Sequence, residues 1–329
     1  MAATDPHLCY TALLRDMTTT SFELEIDPIL AGRTLADVVR SGAQPACSWS
    51  QARELCKRGK VRHNGEVQTD AAVRVQAGDR VSVEPQAPRL REHVLPESAL
   101  VYVDSQVVVV NKPAGLMSVP FAETDKNTLV DRLRFLLRRK YGQQGAELGV
   151  VQRLDKDTTG LMVFARTLAA KRQLQQAWRV HAIGRRYLAL AHGKIRAQHI
   201  DTQLIRNRGD GLRGSFGKFR APRGPVPEDA QRAITDVRPL EQFRAASLAE
   251  CQLYTGRQHQ IRIHLSEAGN PLLGEAVYIR DFAGVVIPAP RIMLHATVLG
   301  FEHPATGRAL RFELPAPEDF QAQLAALRL

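Results

Sequence analysis

The sequence predicts an α+β protein: a larger domain on a mixed, largely antiparallel central sheet flanked by helices, preceded by a small α+β module. Three observations predict it. Short Val-, Leu- and Ile-rich strands mix with helical stretches, without the regular βαβ alternation of a parallel sheet. No Walker phosphate loop opens a nucleotide-binding α/β unit. A proline-rich, aperiodic stretch, 85–98, reads as a linker between the two parts.

Residues 1–27 read as an extension that ends in a short strand, because 20–28 (TSFELEIDP) alternates apolar and charged side chains. The front module spans 28–84. Leu35, Val38 and Val39 recur at i, i+3 and i+4, which predicts a short amphipathic helix. Ser48 and Gln51 form a capping-box pattern. The helix that they open has Ala52, Leu55 and Cys56 on one face and Gly59 as its stop. Val61–His63 and Glu66–Gln68 flank Asn64-Gly65, the strongest short hairpin signal. Val73–Val75 and Val81–Val83 read as two more strands around Gly78-Asp79. The second helix and the hairpin carry Arg53, Lys57, Arg58, Lys60 and Arg62 against Glu54 alone. That edge is either a solvated helix face or a contact for an RNA backbone.

The larger domain, 99–329, opens with strands Leu100–Val103 and Val107–Asn111 around Asp104-Ser105. Thr167 is placed to cap a helix with Leu174, Ala177 and Trp178 on one face. Residues 204–225 are rich in glycine and basic side chains and read as unable to bury a core. They form a solvent loop or an arm that orders on a polyanion, with Phe216 and Phe219 placed to stack on bases.

Lys plus Arg number 45 against 34 Asp plus Glu, a net charge of +11. The excess suits an anionic partner, nucleic acid before an anionic membrane surface. No apolar run approaches the ~20 residues of a membrane helix, and the first 20 residues lack the pattern of a signal peptide. Cys9, Cys47, Cys56 and Cys251 form no C-x-x-C pair and no zinc-spaced cluster. They read as reduced thiols of a cytoplasmic protein.

Asp155 precedes Asp157-Thr158-Thr159-Gly160, an order that favours a sharp turn, and GLMVFA beyond it reads as a buried strand. A carboxylate between such a turn and an apolar strand is poised for chemistry when a cation faces it. It also reads as an Asx-turn residue, a part that fits Asp157 better. A glycoside hydrolase needs a second acid several ångströms away, and Asp157 is too close in sequence to serve. Tyr187 alone reads as a core tyrosine with a bonded hydroxyl. Arg257, His259, Arg262 and His264 alternate as a basic strand would, with Arg262 and His264 on one face. Lys112 before Pro113 reads as a turn residue or an RNA contact.

These segments together resemble the RluA-type RNA pseudouridine synthases with an N-terminal S4-like RNA-binding domain. RLDKDTTGLMVFAR (153–166) is similar to the family's RLDxxTSG motif, and VVNKPAGLMSVP (109–120) to its NKPAG entry strand. GRRYLALAHG (184–193) matches K/R-x-Y-x-A-x-x-x-G, and TGRQHQIRIHL (255–265) is similar to TGRTHQIRVHL. GNPLLGEAVY (269–278) and LHATVLGFEHPATG (294–307) resemble the two closing segments. Gln152 stands where the family usually has His, Gln258 for Thr, Thr159 for Ser and Asn270 for His; none of these removes a group that the chemistry requires.

The resemblance implies isomerisation of uridines to pseudouridine in structured RNA, ribosomal RNA before tRNA, without cofactor or metal. It implies that Asp155 is the essential aspartate and that Arg262 pairs with it. It places Tyr187 against the target uracil and Arg153 near the extruded nucleotide. Lys112, Arg257 and the basic residues of the front module become RNA contacts. The reaction breaks the N1–C1′ bond, turns the base and joins C5 to C1′. Extruding the base costs on the order of a few kcal/mol, which phosphate contacts offset. A different class of function, a non-catalytic RNA-binding or ribosome-assembly factor, would have Gln152 mark a lost activity. With no apolar helix face left over, a monomer is expected.

Overall fold

A computed structural model describes residues 20–87, 94–122, 125, 127–142, 147–219, 221 and 224–329. The chain divides into two units, Met1–Glu92 and His93–Leu329.

The first unit contains β1 (Phe22–Glu25), α1 (Leu35–Gly42), α2 (Trp49–Lys57), β2 (Val61–His63), β3 (Glu66–Val67) and β4 (Arg80–Val83). The strands form one antiparallel sheet in the order β1-β4-β2-β3. The capping box of α2 is real: Gln51 N donates to Ser48 Oγ at 3.2 Å, and Ser48 N donates to Gln51 Oε1 at 2.7 Å. Asn64 and Gly65 both take positive φ, 54° and 84°, as a tight hairpin turn demands. Leu35, Val38, Val39, Ala52, Cys56, Val61, Val81 and Val83 form the core. The strand expected at Val73–Val75 does not form. Its carbonyls accept from Leu35 N and Gly32 N, so its bonding capacity goes to the loop that enters α1, through a single bridge at Thr34 and Arg74.

Residues 88–93 of the proline-rich stretch lie outside the described residues. Beyond them Leu95 is buried in the core of the second unit. That unit runs β5 (Leu100–Val103), β6 (Val107–Lys112), α3 (Leu129–Tyr141), β7 (Gly149–Val150), β8 (Thr159–Ala165), α4 (Leu168–Arg179) and β9 (Gly184–His192). It continues with β10 (Gln198–Ile205), β11 (Gly214–Ser215), β12 (Gln231–Gln242), β13 (Ala246–Leu253), α5 (Gln260–Glu267), β14 (Leu294–Glu302), β15 (Ala309–Glu313) and α6 (Glu318–Arg328). The described strands make an 11-stranded sheet in the order β11-β10-β12-β13-β9-β14-β8-β6-β5, with β15 on β14 and β7 on β8. Every pairing is antiparallel except β8 with β14, so the predicted mixed, largely antiparallel α+β sheet is what forms.

The valine run of β6 is buried throughout because both faces of the sheet are covered. Val108 and Val110 pack with Leu129, Leu133, Leu136 and Leu137 of α3. Val107 and Val109 pack with Ala170 and Leu174 of α4. Thr167 caps α4, accepting from Ala170 N.

Two expectations are corrected here. The stretch 257–264 is not a basic strand; α5 begins at Gln260. Residues Gln260–Leu265 are all buried, and a helix enclosed on every side shows no amphipathic period to read. The 204–225 segment does contribute to a core: Leu204 packs against Ile263 and Tyr278, and Gly214 and Ser215 are buried as β11. Arg208 is buried there as well, paired with Asp210 and Asp281, with Phe219 stacked on its guanidinium. Residues 220, 222 and 223 of that segment lie outside the described residues.

Two histidines in this core carry a pH prediction. His264 bonds Thr202 and Thr235, and His295 bonds Thr159 and the Leu314 carbonyl. Burial pushes both down to about 4 from 6.5. The unfolded chain therefore binds protons in a window where the folded one does not, and stability falls as pH drops from 6.5 toward 4. The loss is about 3 kcal/mol per histidine. Thermal melting should weaken steeply between pH 6.5 and 4, and a flat profile there would contradict the neutral assignment.

Candidate active site

The site lies in the second unit, in a cavity of about 510 Å³ lined by the 150–158 loop, β9 and the turn that leads into α5. Asp155 sits in the loop between β7 and β8, and that loop is pinned on both sides of it. Ser118 Oγ donates to the Leu154 carbonyl at 2.7 Å and accepts from Leu154 N at 3.0 Å. Lys112 Nζ donates to the carbonyls of Pro113, Lys156 and Thr158 at 2.9, 2.7 and 2.8 Å. Arg291 Nη1 donates to the Asp157 carbonyl at 3.2 Å. The loop then enters β8 through Gly160, whose φ of 111° suits glycine. A Cβ there would stand 2.3 Å from the Ala296 carbonyl oxygen on the parallel strand β14.

Lys112 is thus corrected from RNA contact to loop clamp: it is fully buried, and all three N–H groups are used internally.

Asp155 keeps 25% of its side chain exposed, so a substrate can reach it. Its Oδ2 accepts from Arg262 Nη1 at 3.3 Å, and its Oδ1 lies 4.0 Å from His259 Nε2. Arg262 projects from the first turn of α5 and is held from behind by Glu275. Its Nε meets Glu275 Oε2 at 2.8 Å, and its Nη2 meets Oε1 at 2.9 Å. Burial works against the Glu275 carboxylate, but the Arg262 bonds and the N–H groups of Val277 and Tyr278 overcome it and hold its pKa below the ordinary value. The fork–fork geometry fixes the guanidinium plane and leaves Nη1 for Asp155. The Tyr278 ring packs 5.4 Å from that guanidinium, and the Tyr278 hydroxyl bonds His259 Nδ1 at 2.8 Å.

The turn before α5 is built by Gln260. Its Oε1 accepts from Thr255 Oγ1 and Arg257 N, and its Nε2 donates to the Ile234 carbonyl and Thr235 Oγ1. His259 takes a positive φ of 58° at the helix cap, which turns its ring toward Asp155. Tyr187, on β9, lines the cavity and is 7% exposed, so it belongs to the core and to the site at once. Arg153 and Arg257 also line the cavity.

The structure therefore brings Asp155, Arg262, Tyr187, Arg153 and Arg257 together. The sequence reading missed Glu275, His259 and Tyr278 as partners of this set. The signal for Glu275 was a lone carboxylate inside the apolar run PLLGEAVY.

In the first unit, Arg53, Lys57, Arg58 and Arg62 are exposed, with Arg58 paired to Glu54. Lys60 is corrected: it is buried, and its ammonium donates to the Ala87 carbonyl.

A partly exposed carboxylate paired with a buried arginine thus faces a cavity that the buried Tyr187 also lines. Comparison with known proteins gives the class. The family model described as RNA pseudouridylate synthase matches residues 106–267, and that of the S4 domain matches 34–81. The chain is 35% identical over 286 residues to the Zymomonas mobilis protein named ribosomal large subunit pseudouridine synthase D, covering 83% of this chain and 87% of that one. It is 34% identical over 312 residues to the Xanthomonas campestris protein of the same name, covering 91% and 90%. The solved structure of human RNA pseudouridylate synthase domain containing 4 superposes with a TM-score of 0.57 at 25% identity, covering 70% of this chain and 93% of that one. The chain belongs to the RNA pseudouridylate synthase family and is an isomerase acting on RNA. Among the described residues no helix is long and apolar enough to cross a membrane.

Proposed function

We propose that this enzyme converts specific uridines of large-subunit ribosomal RNA to pseudouridine, with Asp155 acting on the reacting nucleotide and Arg262 holding Asp155 in place. The observation that carries the reading is the 3.3 Å pair between Arg262 and a partly exposed Asp155 in the cavity lined by Tyr187. Uracil freed from C1′ must stay in place while it turns. Tyr187 offers it a flat wall that restrains position without fixing rotation. Asp155, as an ionised oxygen, either attacks carbon or removes a proton. Arg153 and Arg257 receive the displaced RNA around the extruded nucleotide.

The choice of ribosomal RNA rests on the two relatives named above, both called ribosomal large subunit synthases. The module proposed to span 28–84 adds Arg53, Lys57, Arg58 and Arg62 as phosphate contacts. We place the linker at 85–98 and the catalytic domain at 99–329.

The test is to incubate the full chain with unmodified total RNA and map pseudouridines by chemical labelling and reverse-transcription stops. New stops in large-subunit ribosomal RNA are expected with the wild type and none with Asp155→Asn. Stops confined to tRNA would overturn the substrate assignment, and equal stops with both proteins would overturn the role of Asp155.

A further inference from the structure

Arg185 is a buried cation to which the mechanism above gives no part. It lies on β9 two residues before Tyr187, so both side chains leave the same face of the strand. Both line the cavity. Arg185 is 6% exposed. Its Nη2 donates to the Tyr254 carbonyl at 3.2 Å, while its buried Nε has no hydrogen-bond partner among the described residues. No carboxylate among the described residues pairs with it. The turn above is shaped around it: a Cβ at Gly256 would come within 2.6 Å of its Nη1.

The other arginines of the site are placed differently, Arg153 being exposed. Arg262 is balanced by Asp155 and Glu275, and Arg257 donates its Nε to the Arg232 carbonyl at 3.0 Å while its side chain stays partly exposed. Removing a guanidinium from water without a counter-charge is costly. Burial pulls the Arg185 pKa down, the direction expected of a charge that lacks compensation. Such a residue makes physical sense when a ligand supplies the anion.

We infer that Arg185 binds a backbone phosphodiester of the RNA, at the nucleotide seated against Tyr187 or at the one beside it. A uracil carbonyl would satisfy the orphaned Nε–H but leave the charge unbalanced. A phosphodiester does both, and its two free oxygens match the planar fork of the guanidinium. The site would then grip the nucleotide at two points: the base by Tyr187 and the backbone by Arg185. A base that must detach and turn is best held through the part that does not move.

The inference rests on the cavity being the uridine site, and the test separates the two. Fluorescein-labelled decauridylate is bound to the full chain and displaced with uridine or with uridine 3′,5′-bisphosphate. A single-stranded probe avoids the cost of extruding a base from a duplex. The bisphosphate should compete at a concentration at least about tenfold lower than uridine, as a charge-assisted bond implies. That gain should vanish in Arg185→Met, with uridine competition unchanged, and be largely kept in Arg185→Lys. The slope of log affinity for decauridylate against log salt should shrink by about 0.7 in Arg185→Met, one single-strand phosphate contact.

If uridine and the bisphosphate compete equally in the wild type, the inference fails while the uridine site stands. If the gain survives Arg185→Met, another cation reads the phosphate and the inference fails. If uridine does not compete at all, the uridine site and the inference fall together. Equal competition in the wild type overturns the inference even if Arg185→Met does not fold, and Arg185→Gln then serves as the second charge-removing variant.

Discussion

Asp155→Asn is expected to lower isomerisation by about 10³-fold or more while leaving RNA affinity within about threefold. The first figure follows from the chemistry: an amide can neither attack carbon as an anion nor accept the proton. The second follows from binding, which phosphate contacts dominate. The geometry makes this a clean substitution. Asparagine keeps the shape, and its oxygen can still accept from Arg262 Nη1. Removing the Asp155 charge does not strand Arg262, because Glu275 holds it with two bonds of 2.8 and 2.9 Å. Melting temperature should therefore stay near wild type. Joining C5 to C1′ releases the C5 hydrogen, so tritium release from RNA labelled at uridine C5 reads turnover directly. Near-wild-type release would remove Asp155 from the reaction.

How much of this was legible in the residues varies with the kind of signal. Local chemistry reads well. The Ser48–Gln51 capping box, the Asn64-Gly65 turn and the Thr167 cap all stand where the sequence puts them, because each depends on neighbours within four residues. The pairing of Asp155 with Arg262, 107 residues apart, came from motif resemblance, and no local rule would have found it. Burial misled in both directions. Lys112 and Lys60 look like RNA contacts in sequence because lysine is ordinarily exposed, yet backbone carbonyls from distant loops claim both. Arg262 and His264 look like strand residues because the buried helix α5 has no polar face to give it a period. Glu275 was passed over because its contact with the site is made through another side chain, Arg262, and that task appears once α5 and the 270–278 loop are folded together.

That task makes Glu275→Gln the second large effect. Glu275 has no exposed side-chain surface, and Arg262 is 7% exposed, so this is a buried ion pair with one end beside Asp155. Breaking such a pair from one side typically costs about 3–5 kcal/mol, because the remaining charge stays buried without its partner. Glutamine presents one acceptor and one donor where the site needs acceptors toward Arg262 Nε, Arg262 Nη2 and Val277 N. The guanidinium is then left to Asp155 alone, and the angle at which it meets that carboxylate changes. Glu275 does not line the cavity. The kinetic loss should accordingly fall on kcat, with KM little changed, and Glu275→Asp should recover part of it. The acid limit of this pair is distinct from that of the histidines. With a folded pKa held below its ordinary 4.5, Glu275 contributes its stability above that value and loses it as pH falls through the folded pKa. Glu275→Gln should thus abolish a component of acid unfolding below pH 4.5 and leave the component between 6.5 and 4 in place. A variant that melts as the wild type does and keeps its kcat would mean that Asp155 alone positions Arg262, and that the contacts behind it are packing and nothing more.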